Sequence, residues 1–206
     1  MKTIEAGFEL YNWQCERIEE RNAVRSVFNG RSTSYQVFVM RMLGEGLYRF
    51  VILSPLQVEP AQMGAMSEFL HRLNGNLPLG AFELDFNNRG LRWTSSVETN
   101  GDTMPPHWIG NSMQRGLTSF ETVWPELLAV AEGRIAAQTA ELRSQVAMEL
   151  PALNTRFESS GLQLKLAPID DEAELLVISS GDNPAPAKKA LEEIFGHPLP
   201  FGFRQS

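Results

Sequence analysis

The sequence predicts an α+β fold in which an antiparallel sheet packs against helices, in the order α-β-β-β-α-β-β-α, followed by a C-terminal α-β-β-α extension. Three observations predict it. Apolar residues recur at spacings of three and four near the start of the chain, over 63–73 and over 108–130, as helices that bury one face require. Between these segments lie short runs rich in β-branched and aromatic residues. The runs are joined by brief Gly- and Asn-containing turns, too short for the crossover that a parallel pair needs.

The elements follow in order. Ile4, Phe8, Tyr11 and Cys15 place an amphipathic helix over residues 3–20. A strand over 23–28 turns at Asn29-Gly30, a second covers 34–43, and Gly44-Glu45-Gly46 leads into a third over 47–54, which makes a meander. Phe38, Val39 and Met40 are apolar on both strand faces, so this strand is expected to be central and covered on more than one side. Pro60 opens a helix whose Met63, Met66, Phe69, Leu70 and Leu73 read as core and whose end is capped at Asn74-Gly75. Strands over 80–86 and 90–97 flank the turn Asn87-Asn88-Arg89-Gly90, with Phe82, Leu84 and Phe86 on one face and Glu83 and Asp85 on the other, toward water. A polar loop turning at Asn100-Gly101-Asp102 precedes a long apolar series from Trp108 to Val130, expected as two helical pieces because Gly116 and Pro125 interrupt it.

Past Gly133 the composition shifts, which divides the chain into a domain over 1–133 and an extension over 134–206. Residues 134–157 form an alanine-rich helix with Pro151 as a kink, suited to a linker or a dimer contact. Strands over 162–167 and 174–179 flank an acidic turn at Pro168, Asp170, Asp171 and Glu172. After Gly181-Asp182-Asn183-Pro184, a final helix over 185–195 is stopped by Gly196 and Pro198. The aromatic tail Phe201-Gly202-Phe203 either tucks against the core or meets a partner. The order of the extension matches portions of the first domain, with no residue-level repeat evident.

Composition narrows function. Hydrophobic residues make up 43% and charged residues 21% of 206 residues, ordinary globular usage. A net charge of -7 without a basic stripe opposes nucleic-acid binding. Cys15 is the only cysteine, so no internal disulfide can form, and it reads as a small buried hydrophobe. No apolar run is long enough to span a bilayer and the N-terminus is not a secretory signal, so a cytoplasmic location and no membrane partner are expected.

Catalytic chemistry finds no purchase. His71, His107 and His197 are dispersed without metal-ligand spacing, and the acidic turn lacks the glycine and distal glutamate of a calcium loop. The glycines at 75–80 run from helix to strand, the reverse of a phosphate-binding turn, and there is no nucleophile elbow. No catalytic residue, metal ligand or cofactor site is therefore expected, and the chain reads as a non-enzyme.

The stretch Phe69-Leu70-His71-Arg72-Leu73-Asn74-Gly75-Asn76-Leu77-Pro78-Leu79-Gly80-Ala81-Phe82-Glu83-Leu84-Asp85, followed by Gly90-Leu91-Arg92-Trp93, resembles the YbjN-like family of bacterial sensory-transduction regulators, itself similar in fold to type III secretion chaperones. The resemblance covers residues 1–133. It implies an α-β-β-β-α-β-β-α domain, often dimeric, without enzymatic activity. The matching residues are packing and turn positions, so the resemblance carries over no functional residue. The expected function is a regulatory or chaperone-like protein that binds a polypeptide through an apolar patch or strand edge, with Trp93, Trp108 and Trp124 as candidate anchors. The alternative is a small-molecule sensor with a pocket between sheet and helices.

Overall fold

A computed structural model describes residues 1–42, 46–99, 103–160, 162–169, 176–180, 185–196 and 202–205. The elements are α1 (Lys2–Leu10), β1 (Glu16–Ile18), β2 (Ala23–Asn29), β3 (Ser34–Arg41), β4 (Leu47–Gln57), α2 (Met63–Asn74), β5 (Ala81–Leu84) and β6 (Gly90–Glu98). They continue as α3 (Pro106–Ala131), α4 (Ala137–Phe157), β7 (Gln163–Leu166), β8 (Leu176–Ser180), α5 (Ala185–Phe195) and β9 (Gly202–Gln205). The expected turns at Gly44-Glu45 and 100–102, the acidic turn at 170–174 and the break at 181–184 lie outside the described residues, as do His197, Pro198 and Phe201.

Six strands form one antiparallel sheet in the order β1-β2-β3-β4-β6-β5. Strand alternation sends Val37, Val39, Phe50, Ile52, Phe82 and Trp93 to one face, where they share a core with Ile4 and Phe8 of α1, Met66 and Phe69 of α2 and Met113 and Phe120 of α3. A second sheet, β7-β8-β9, pairs β7 with β8 antiparallel and β8 with β9 parallel. Its core joins Val146 and Leu153 of α4 to Leu162, Leu164, Ala187 and Leu191. α4 serves both cores, because Ala137 and Ala140 of its first turn pack into the larger one.

Four local expectations are corrected. The first helix ends at Leu10, not near residue 20. Asn12 takes a left-handed backbone (φ 55°), its N–H donates to Glu9 O (3.0 Å), and the Trp13 N–H donates to Phe8 O (2.9 Å). This pattern is a Schellman stop with asparagine at the left-handed position, and the Phe8 and Trp13 rings meet edge to face across it. Cys15 therefore leaves the helical stripe and is exposed. α3 is a single helix across Gly116 and Pro125. Gly116 is a close-approach residue, since a Cβ there would come within 2.5 Å of the Ile52 and Trp93 side chains. Pro125 is held in the helix by Val123 and Leu127, buried on either side. Finally, Asn74 does not cap its own helix: its Nδ2 donates to Phe82 O (2.9 Å) and its Oδ1 accepts from the Phe82 N–H (2.7 Å), which fixes β5 to the end of α2.

The two cores meet at a buried ion pair. Arg143 Nε of α4 donates to Glu126 Oε1 of α3 at 3.0 Å, and Arg143 also donates to the Ala167 carbonyl at 2.8 Å. The two side chains are 3% and 2% exposed, and Glu126 Oε2 has no hydrogen-bond partner among the described residues. Burial raises the Glu126 pKa, and the Arg143 charge and hydrogen bond only partly oppose it.

Candidate functional site

The sheet has two faces and the helices pack on one. Register assigns the outward residues: Val27, Gln36, Leu53, Arg92 and Glu83 form one row, and Arg25, Phe38, Val51, Thr94 and Ala81 the next. Met40, Arg49 and Ser96 start a third. Phe38, Met40, Val51 and Leu53 are half-buried by their neighbours on the sheet and stand outside the helix-covered core, while Val27 is 56% exposed. The apolar pattern of β3 implied cover on both sides; among the described residues cover is present on one.

Arginines frame this apolar stripe. Glu83 accepts from Arg92 Nε (2.6 Å) and the Thr94 hydroxyl (2.7 Å), with Arg49 at 3.8 Å. Burial alone would raise the Glu83 pKa, but the Thr94 and Arg92 hydrogen bonds and the charges of Arg92 and Arg49 outweigh it and hold it below the usual range. One carboxylate thus fixes two guanidinium groups over the sheet, while Arg25 adds a third. Asp85, which alternation placed beside Glu83, instead ties the β5–β6 turn by accepting the Asn87 and Asn88 N–H groups at 2.9 and 3.2 Å.

The three tryptophans do not converge. Trp93 is fully buried between Gly80 and Gly116, and its Nε1 has no hydrogen-bond partner among the described residues. Trp124 is half-buried, edge-on to Tyr35. Trp108, in the first turn of α3, is 45% exposed and is the most exposed of the three. Spacing could not separate these environments, because helix and strand positions bury or expose the same residue according to what packs above them.

The β2–β3 hairpin is locked to α3 by Glu121, whose carboxylate accepts the Arg31 and Ser32 N–H groups (both 3.1 Å) and the Tyr35 hydroxyl (2.7 Å). Burial, reinforced by Glu121, keeps the Tyr35 phenol protonated. A Cβ at Gly30 would strike this carboxylate. The space between sheet and helices, where a ligand pocket was considered, is filled by side chains such as Trp93 and Phe120. Surface clefts of about 370 Å³ lie between Leu79 and α3 and beside Cys15 and Arg25. The Cys15 thiol is pushed up by partial burial of the sulfur and by Glu5 and Glu9, the opposite of nucleophile activation. Among the described residues no group of three His, Cys, Asp or Glu is placed to hold a metal ion, and no helix is long and apolar enough to cross a membrane.

No curated protein matches the chain. The crystal structure of YbjN from E. coli, described as "a putative transcription regulator", is similar over 55% of this chain and 81% of its own, with 11% identity and a TM-score of 0.40. Residues 2–129, which contain the six-stranded sheet and nearly all of α3, match the model of the family described as "Putative bacterial sensory transduction regulator". The chain belongs to the YbjN family.

Proposed function

We propose that this protein is a non-enzymatic cytoplasmic regulator that binds a polypeptide on the open face of its six-stranded sheet. The observation that carries this reading is the uncovered stripe of Val27, Phe38, Met40, Val51 and Leu53, framed by Arg25, Arg49 and Arg92. Five strands about 4.8 Å apart and three outward rows about 6.7 Å apart give a patch on the order of 480 Å². That is short of the roughly 800 Å² each partner contributes to a standard interface, so the patch suits a peptide segment better than a folded domain. Apolar contact would supply affinity, and the arginines would favour acidic residues at the margins of the segment. The net charge of -7 speaks against a nucleic-acid partner.

The test compares affinity capture at native expression by the unaltered protein and by a Phe38→Asp/Leu53→Asp variant whose melting temperature is matched. A polypeptide retained by the first and lost by the second, with amide-exchange protection on β3 and β4, supports the reading. A partner retained equally by both, or protection confined to other elements, overturns it.

A further inference from the structure

The backbone of the open sheet face has nothing to offer an extended chain. β3 and β4, which carry Phe38, Met40, Val51 and Leu53, are each paired on both sides, so their N–H and C=O groups are taken up within the sheet. A strand laid flat on this face would leave its own backbone groups shielded from water and without partners. An α-helix satisfies those groups internally and presents only side chains, as α1, α2 and α3 do on the opposite face.

The stripe has the dimensions of a short helix. From Leu53 on β4 to Met40 on β3 it crosses three outward rows, roughly 14 Å, the rise of about ten helical residues. Arg25 on β2 and Arg92 on β6 flank it three strand spacings apart, again roughly 14 Å, which admits a helix of about 10–12 Å diameter. Arg49 is drawn to the Arg92 side by Glu83, at 3.8 Å. Among the described residues of these three rows the charged ones are Arg25, Arg49, Arg92, Glu83 and, on the edge strand β1, Glu16. The face is thus locally positive on a chain whose net charge is -7. Taking this face as the binding site, we infer that its occupant is a single amphipathic α-helix of a partner protein, with an apolar seam against Phe38, Met40, Val51 and Leu53 and acidic residues on both flanks. Arg25 meets one flank, and Arg49 and Arg92 meet the other. The seam supplies affinity, while the opposed charges set orientation and reject a basic helix.

The test uses three fluorescent synthetic peptides of about 14 residues, a little longer than the stripe, and reads their binding to the full chain by anisotropy. The first carries leucines at i, i+3, i+4, i+7 and i+8 with glutamates on both flanks. The second has the same residues with leucine and glutamate alternating, and the third has lysine for each glutamate of the first. The first should bind, gain helix by circular dichroism, and bind at least about tenfold more tightly than the other two. Phe38→Asp/Leu53→Asp should abolish that binding, and Arg25→Glu should weaken it while strengthening binding of the lysine peptide. Equal or tighter binding of the alternating or the lysine peptide overturns the inference. So does no binding of the glutamate peptide, or binding that both variants leave unchanged. Should the aspartate variant not fold, Arg25→Glu decides alone: an unchanged ratio of the two helical peptides overturns the inference. Capture of a native partner registers a segment of any shape, so a partner held on the open face as an extended or basic segment would sink the acidic helix and leave polypeptide binding at that face standing.

Discussion

Replacing Arg143 with methionine tests the seam between the two cores. The substitution keeps most of the side-chain volume, removes the positive charge paired with Glu126 and takes the donor from the Ala167 carbonyl. Glu126 is 2% exposed and, among the described residues, one of its oxygens accepts no hydrogen bond, so the remaining carboxylate would be a buried and unpaired charge. Breaking a buried pair in this way costs about 3–5 kcal/mol. The sign of the pH dependence follows from the raised Glu126 pKa. An acid whose folded pKa lies above its unfolded value adds stability at low pH and loses it as pH rises through the folded value. Removing Arg143 raises that value further, so the deficit of the variant should be greatest at about pH 7.5 and shrink toward about pH 5, nearer the ordinary carboxylate range. Urea denaturation followed by circular dichroism at both pH values measures it. A Glu126→Leu/Arg143→Met double variant should recover most of the loss, because a well-packed apolar pair avoids the desolvation penalty. A loss under about 1 kcal/mol, a deficit independent of pH, or a double variant no more stable than the single one would refute the reasoning.

Other expectations follow from single contacts. Gly80→Ala should cost about 1–3 kcal/mol by thermal melting, because φ is +73° and the added Cβ would meet the Trp93 ring at 2.2 Å. Asn74→Ala and Asn154→Ala should each lower stability by about 1–3 kcal/mol, having removed two backbone partners. Amide exchange should then rise at β5 in the first and at β7 in the second, and a uniform rise would contradict the paired-clamp description. Trp108→Ala should change stability by less than about 0.5 kcal/mol while Trp93→Ala loses about 3–5. Equal losses measured by denaturant titration would contradict the burial assigned to them.

Periodicity determined much of the architecture. Alternation in Phe82-Glu83-Leu84 and the three-and-four spacing of Met66, Phe69, Leu70 and Leu73 state which face is buried, since strand and helix geometry fix side-chain direction locally. The end of β2 at Asn29 and the bounds of α5 were legible for a different reason, the turn residues Asn29-Gly30 and the breakers Pro184 and Gly196 that flank them. The stop at Asn12 was present in the letters too, but an unbroken apolar stripe through Tyr11 and Cys15 outweighed one asparagine. No residue-level repeat was evident in the sequence, and only the structure shows Asn74 and Asn154 each holding a strand backbone, at Phe82 and at Leu164.

What the sequence by itself determined is the kind and order of most elements, inward residues such as Phe82 and the absence of familiar catalytic motifs; Phe86, expected inward beside it, lies past the end of β5 and is 67% exposed. Tertiary structure alone decided that Trp93 is core and Trp108 surface, that Gly116 is a contact and not a break, and that among the described residues only one face of β3 is covered. It also paired Glu126 with Arg143. The reason is physical: a local pattern fixes where a side chain points relative to its own backbone, whereas burial and ion pairing depend on which distant element arrives opposite it.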